Sequence, residues 1–258
     1  MRPPSLLSRG RLPIVALALA LVTLGACADG RGAADSRTLT VLAAASLTEG
    51  FGELEAVFED ANPGVDVRIS FDSSATLAQQ ALEGAPADVL ATADVRTMQT
   101  AVDGGAVAGD PELFATNVIV LVTPADDPAD VSGIDDLAGA TYVVCVPSAP
   151  CGALAATLLD DNGVTAEPAS LEVDVKAVLT KVTLGEADAG LVYATDAASA
   201  GDAVRTLEVP GAADAPTDYP VAVLDQAAEA DLARAWVDLL TSSKSQEILA
   251  GYGFGPAR

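Results

Sequence analysis

The sequence predicts an α/β protein of two lobes, each a mostly parallel sheet flanked by helices. Short apolar strand-like runs alternate with segments of helical period along most of the chain, the pattern of parallel strands joined by crossover helices. Two apolar runs, residues 117–123 (NVIVLVT) and 219–224 (YPVAVL), stand where the chain would cross to a second lobe and return. Two crossings make a hinge, and a hinge between lobes makes a cleft. The expected division is 38–118 plus 222–258 for lobe one and 119–221 for lobe two.

The elements follow in order. Residues 39–43 (LTVLA) read as a strand, and Leu47, Phe51, Leu54 and Phe58 recur at helical spacing until Asn62-Pro63-Gly64 stops them. Residues 65–70 (VDVRIS) form the next strand, 76–83 a short helix ended by Gly84, 87–91 (ADVLA) a third strand, and 94–103 a helix ending at Gly104-Gly105. After the strand at 117–123 comes a Pro/Asp-rich turn at 124–130, a short helix from Ile134 and a buried strand at 141–146. Residues 152–161 are helical and 170–173 form a short strand. Val175, Val178, Leu179 and Val182 mark an amphipathic helix ending at Gly185. Strands follow at 189–193 (AGLVY) and 205–209, then a loop at 210–218 and the late strand at 219–224. The end is helical, with Leu232, Trp236, Leu239 and Leu240 on one face, then Ile248, Leu249 and Tyr252.

The first 26 residues read as an export signal: Arg2, Arg9 and Arg11, an apolar run, then Leu24-Gly25-Ala26-Cys27. The run is short for a membrane span. Small residues before a Cys resemble a bacterial lipoprotein cleavage box, which would leave Cys27 to carry lipid. Residues 27–37 then read as a flexible tether. Without residues 1–26, ten basic residues face 37 acidic ones, a formal charge of −27 against −24 for the whole chain. That balance excludes nucleic acid as a partner and disfavours long-range steering of anions. The chain contains no His, which excludes Ser-His-Asp and Cys-His catalysis and leaves Cys145 and Cys151 a poor zinc set. In an oxidising compartment those two form a disulfide; the alternative is two free thiols.

Four predicted strand-to-helix junctions carry polar or permissive residues: Ser46, Ser73-Ser74, Pro150-Cys151-Gly152 and Asp174-Val175. Ligands in open α/β sheets sit beyond the carboxyl ends of the strands, where such junctions lie. A helix start offers unpaired N–H groups and a positive dipole end, so several facing one point could hold a small oxyanion without a cationic side chain. Singly, each Ser reads more simply as an N-cap. Tyr193, at a strand end, is either a ligand contact or a core residue with its hydroxyl tied to a neighbour. Lys176 is read as solvent-exposed, Asp174 as a helix cap, and Asp72 and Asp196 as loop or cap residues.

The runs AAASL (43–47), FDSSATLAQQALEGAPADVLATAD (71–94), VDVKAVLTKVTLGEADAGLVYATDA (173–197) and YPVAVL resemble the periplasmic molybdate-binding proteins of ABC transporters, in the same order and over nearly all of residues 39–254. The resemblance implies a type II periplasmic-binding fold closing on one oxyanion. It assigns hydroxyl and backbone contacts to Ser46 and Ser74, backbone N–H contacts to Cys151 and Val175, and a hydroxyl contact to Tyr193. Pro-Cys-Gly stands here where relatives often have Ala before the Gly, and a backbone contact tolerates that change. A Cys145–Cys151 bridge would rigidify one wall. The implied protein is a monomeric, lipid-anchored, extracytoplasmic binding protein without cofactor. It would capture molybdate, with tungstate, and deliver it to a membrane permease. Alternatives are a binding protein for sulfate or phosphate, and an exported enzyme using Cys145 or Cys151 as nucleophile.

Overall fold

The computed structural model describes residues 37–258. The export signal, Cys27 and all of the tether but Arg37 lie outside the described residues. Arg37 itself opens the first strand, where its guanidinium pairs with Glu229 and Asp231.

Strand β1 (Arg37–Ala44) runs through a 3-10 turn (Ala45–Leu47) into α1 (Thr48–Ala61), followed by β2 (Val65–Asp72), α2 (Ser74–Leu82), β3 (Val89–Ala91) and α3 (Val95–Asp103). β1 lies parallel between β2 and β3, the arrangement that strand–helix–strand crossovers impose. Then come β4 (Val107–Asn117) and β5 (Ile119–Pro124), a 3-10 stretch (Ile134–Gly139), β6 (Tyr142–Cys145), α4 (Pro150–Asp161), β7 (Ser170–Glu172), α5 (Val175–Thr183), β8 (Ala189–Tyr193), α6 (Ala194–Ala200) and β9 (Val204–Glu208). The chain ends with β10 (Thr217–Leu224), α7 (Ala230–Leu240), α8 (Ser243–Gly251) and β11 (Gly255–Pro256).

The strands form two sheets, ordered β11-β4-β10-β3-β1-β2 and β7-β6-β8-β5-β9. β4 and β5 are consecutive yet belong to different sheets, so the chain crosses between them at Val118. The run expected as one strand at 117–123 is therefore two strands meeting at a crossing. The return comes earlier than the expected boundary at 221/222. β10 pairs with β4 from Thr217 onward and with β3 at Val221–Val223, so it lies wholly in the first sheet.

Besides the two-residue β11 and the short 3-10 turns, two elements are absent from the sequence reading. β4 carries Gly109, Asp110 and Pro111, which hide its strand character. Only its last residues pair with β11, so its first part has a free edge that tolerates proline. α6 (ATDAASA) is too short and too Ala-rich to show an apolar period.

The first sheet's core is aromatic. Trp236 packs edge-on against Phe51 and Phe58, with ring centroids 5.6 and 5.3 Å away. Phe51 leads to Phe114, Phe114 to Tyr219, and Tyr219 to Tyr193 of the second sheet, at 5.8, 6.2 and 6.1 Å. Burying such rings is the main favourable term in folding. Here the line of rings also runs from the core to the junction of the two sheets.

Candidate functional site

The carboxyl ends of the parallel strands converge on one small cavity. Its walls include Ala45 and Ser46 after β1, Ser73 and Ser74 after β2, Pro150 and Cys151 after β6, Asp174 and Val175 after β7, and Tyr193 at the end of β8. Ser46, Ser74, Cys151, Val175 and Tyr193, singled out from sequence, are thus brought together, and each is nearly inaccessible to solvent. The space open to the centre of a water-sized sphere is about 20 Å³. One water needs roughly 10–15 Å³ by that measure, so the space is on the scale of a small ion.

Three helix starts around the cavity are left uncapped. No side chain caps the turn after Ala44, the start of α2 after Ser73, or the start of α4 after Ala149. Away from the cavity, Asp94 caps α3 and Ser242 caps α8. The first N–H groups of a helix have no partner within it, so these starts present free donors. In α4, Pro150 has no N–H, which makes that of Cys151 the first available. Asp174 accepts the Ala177 N–H at 2.9 Å and so caps α5 as expected, leaving the Val175 N–H uncommitted.

Two expected serine roles change. Ser46 sits inside the 3-10 turn rather than at a cap, and its Oγ lies 2.8 Å from the Tyr219 hydroxyl. Ser74 Oγ accepts the Ala93 N–H at 3.0 Å, which leaves the Ser74 hydrogen free to donate. Ser73 also lines the wall without capping α2.

Cys145 and Cys151 are joined by a disulfide, with Cα atoms 5.8 Å apart. Gly152 completes the constraint: a Cβ there would lie 2.0 Å from the Val146 carbonyl oxygen and 2.5 Å from that of Cys145. Only glycine lets the loop close onto the start of α4.

Tyr193 is 1% exposed, and its hydroxyl has no hydrogen-bond partner among the described residues. Burial pushes the pKa values of Tyr193 and Tyr219 far above the ordinary phenol range, so both stay protonated and able to donate.

No Lys or Arg lines the cavity. Lys176, expected in solvent, is instead tied across the sheets: its Nζ donates to both Glu49 oxygens at 2.8 Å and pairs with Asp196 Oδ1 at 3.0 Å. Burial opposes the ammonium, but Asp196 and Glu49 outweigh it and hold its pKa above the usual value. Asp196, read from sequence as a loop or cap residue, is fully buried in the first turn of α6. Burial pushes its pKa up to about 6, with Lys176 opposing. Sequence carried no signal for this pair, because Glu49 and Asp196 meet Lys176 only through the fold.

A cavity of uncapped helix starts and hydroxyls, divided between two sheets, is built to hold a solute. Residues 39–255 match the family described as bacterial extracellular solute-binding protein. The chain belongs to that family. This solute-binding protein is 40% identical over 221 residues to the molybdate-binding protein ModA of Mycobacterium tuberculosis, covering 85% of each chain. Its fold matches the periplasmic molybdate-binding protein of Azotobacter vinelandii, with a TM-score of 0.74 at 21% identity, covering 84% of this chain and 98% of that one. It matches equally the sulfate-binding protein SubI of M. tuberculosis, with a TM-score of 0.74 at 20% identity over 85% and 87% of the two chains. The architecture is the two-lobed type II periplasmic-binding fold, and the fold is common to binders of both oxyanions. The disulfide consumes both thiols that the cysteine-nucleophile alternative required.

Proposed function

We propose that this protein captures molybdate, and tungstate with it, outside the cytoplasm and hands it to the permease of an ABC transporter. The observation that carries the reading is the buried Tyr193 hydroxyl, without a partner among the described residues, at a cavity lined by helix starts and hydroxyls and by no Lys or Arg. A buried polar group without a partner is costly, and an oxyanion arriving in the cavity would satisfy it. In this reading Ser46, Ser74 and Tyr193 donate through hydroxyls, and Cys151 and Val175 through backbone N–H groups. The name carried by the relatives at 40% identity supports molybdate over sulfate. Molybdate and sulfate share charge and shape, so rigid donors would separate them by cavity size, the molybdenum–oxygen bonds being longer.

The proposal extends to residues 1–36. The basic start, apolar run and Leu24-Gly25-Ala26-Cys27 support export and lipid attachment at Cys27, with the following residues as a tether and the binding unit a monomer. Among the described residues no helix is long and apolar enough to cross a membrane.

The test is titration calorimetry of the purified protein with molybdate, tungstate, sulfate and phosphate. Molybdate should bind one per chain and raise the melting temperature, by RT ln(1 + [L]/Kd), about 4 kcal/mol at a thousandfold excess over Kd. Tight binding of sulfate or phosphate with none of molybdate would overturn the assignment.

A further inference from the structure

Behind Ser46 lies a chain of buried polar groups. Asn117, at the crossing between the sheets, accepts the Val118 N–H at its Oδ1, 3.0 Å away. That bond fixes the amide, so its Nδ2 points to Thr195 Oγ1 at 2.8 Å and to the Tyr219 hydroxyl at 3.4 Å. An amide nitrogen only donates, so the Tyr219 oxygen is the acceptor there. The Tyr219 hydroxyl lies 2.8 Å from Ser46 Oγ. The amide N–H takes one acceptor position of the Tyr219 oxygen and leaves the Tyr219 hydrogen free to donate to Ser46. Tyr219 is fully buried, and Phe114, Tyr193 and Phe254 meet its ring edge-on at 6.2, 6.1 and 5.4 Å. The ring cannot swing away without breaking that packing.

We infer that Asn117 and Tyr219 are positioning residues that orient the Ser46 hydroxyl as a donor into the anion cavity. The protons run one way: Asn117 N–H to Tyr219 oxygen, Tyr219 O–H to Ser46 oxygen, Ser46 O–H to the anion. Each bond polarises the next, so the last donor is strengthened as well as aimed. A serine free to rotate would spend part of its time donating to Tyr219. The inference rests on the proposed oxyanion role of the cavity.

The experiment is a double-mutant cycle read by calorimetry with molybdate, combining Tyr219→Phe, and separately Asn117→Asp, with Ser46→Ala. Tyr219→Phe keeps the ring and removes the donor to Ser46. Asn117→Asp keeps the Val118 bond and turns the donor facing Tyr219 into an acceptor, drawing the chain of protons the other way. Each should weaken binding roughly five- to fiftyfold in the native background, the scale of a lost charge-assisted donor. In the Ser46→Ala background Tyr219→Phe should cost less than about twofold and Asn117→Asp clearly less than in the native background, because their path to the anion is gone. A merely structural role, or the added charge of Asn117→Asp, would persist in both backgrounds, and equal losses there overturn the inference. No loss in the native background overturns it as well. If Tyr219→Phe does not fold, the Asn117→Asp arm decides. If the native protein binds sulfate and not molybdate, the proposed cargo falls, and the same cycle with sulfate decides the relay. If it binds neither, both fall.

Discussion

Tyr193→Phe should move stability and affinity in opposite directions. The side chain is 1% exposed and its hydroxyl has no partner among the described residues. Leaving a buried hydroxyl unpaired costs about 1–3 kcal/mol, and one water in the cavity would recover part of that. Removing the oxygen while keeping the ring against Tyr219 should therefore leave the ligand-free protein unchanged or more stable by up to about 1 kcal/mol, a rise of roughly 2–4 °C in melting temperature for a domain of this size. With the anion present the sign reverses. A hydrogen bond to a charged group contributes about 1.5–3 kcal/mol, so Kd should rise roughly ten- to 150-fold. Calorimetry with molybdate and thermal melts with and without ligand separate the two effects. A mutant that melts well below the native protein without ligand yet binds molybdate with native affinity would refute the reasoning, because the hydroxyl would then serve the fold and not the anion.

Gly152→Ala forces a methyl to 2.0 Å from the Val146 carbonyl oxygen. It should cost about 1–3 kcal/mol of stability and weaken molybdate binding by displacing the Cys151 N–H, while Gly52→Ala, with open space around its Cβ, should do neither. Unchanged melting of Gly152→Ala would contradict the close approach. Affinity should change less than about threefold between low and physiological ionic strength, because no surface charge attraction is there to screen. A steep loss with salt would point to an exposed cation, with Arg96 the first suspect. For Asp196 the folded pKa of about 6 lies above its ordinary 3.8, so between those values the folded state holds the extra proton. Stability should therefore fall as pH rises through that window, by at most roughly 3 kcal/mol. Asp196→Asn should flatten this part of the curve in denaturant titrations, and an unaltered slope would show that another group titrates there.

What was legible in the sequence was local. Apolar period and Gly or Pro stops marked most elements because those signals lie within a few residues of each other, as in α1, where Phe51, Leu54 and Phe58 share a face closed by Asn62-Pro63-Gly64. The cavity residues were legible for a related reason. Each stands where a strand hands over to a helix, and parallel strands bring such handovers to one edge. What sequence did not reveal depends on distant partners. β4 is a strand because β10 pairs with it, despite Gly109 and Pro111. Lys176 looked like a surface lysine because Glu49 and Asp196 are far away in the chain. Tyr219 read as the start of a late strand, and nothing near it marked Ser46 or Asn117 as its partners.

The acidic balance of the chain and its anion site are compatible because they act over different distances. Net charge repels an approaching dianion, but water and salt screen that repulsion within about 10 Å at ordinary ionic strength. Hydrogen bonds from buried donors would act at contact distance in a medium of low polarity, where each counts for more. A lysine in their place would hold any anion of suitable charge. Fixed N–H groups and hydroxyls hold only one whose oxygens fall where the donors point. The division of those donors sets the other half of the behaviour. Ser46 and Ser74 follow strands of the first sheet, while Cys151, Val175 and Tyr193 follow strands of the second. Neither sheet alone surrounds the cavity, so moving one from the other removes about half of the donors together. On the proposed assignment, an anion would be gripped only while the two sheets face each other, and surrendered without any charged side chain having to be neutralised.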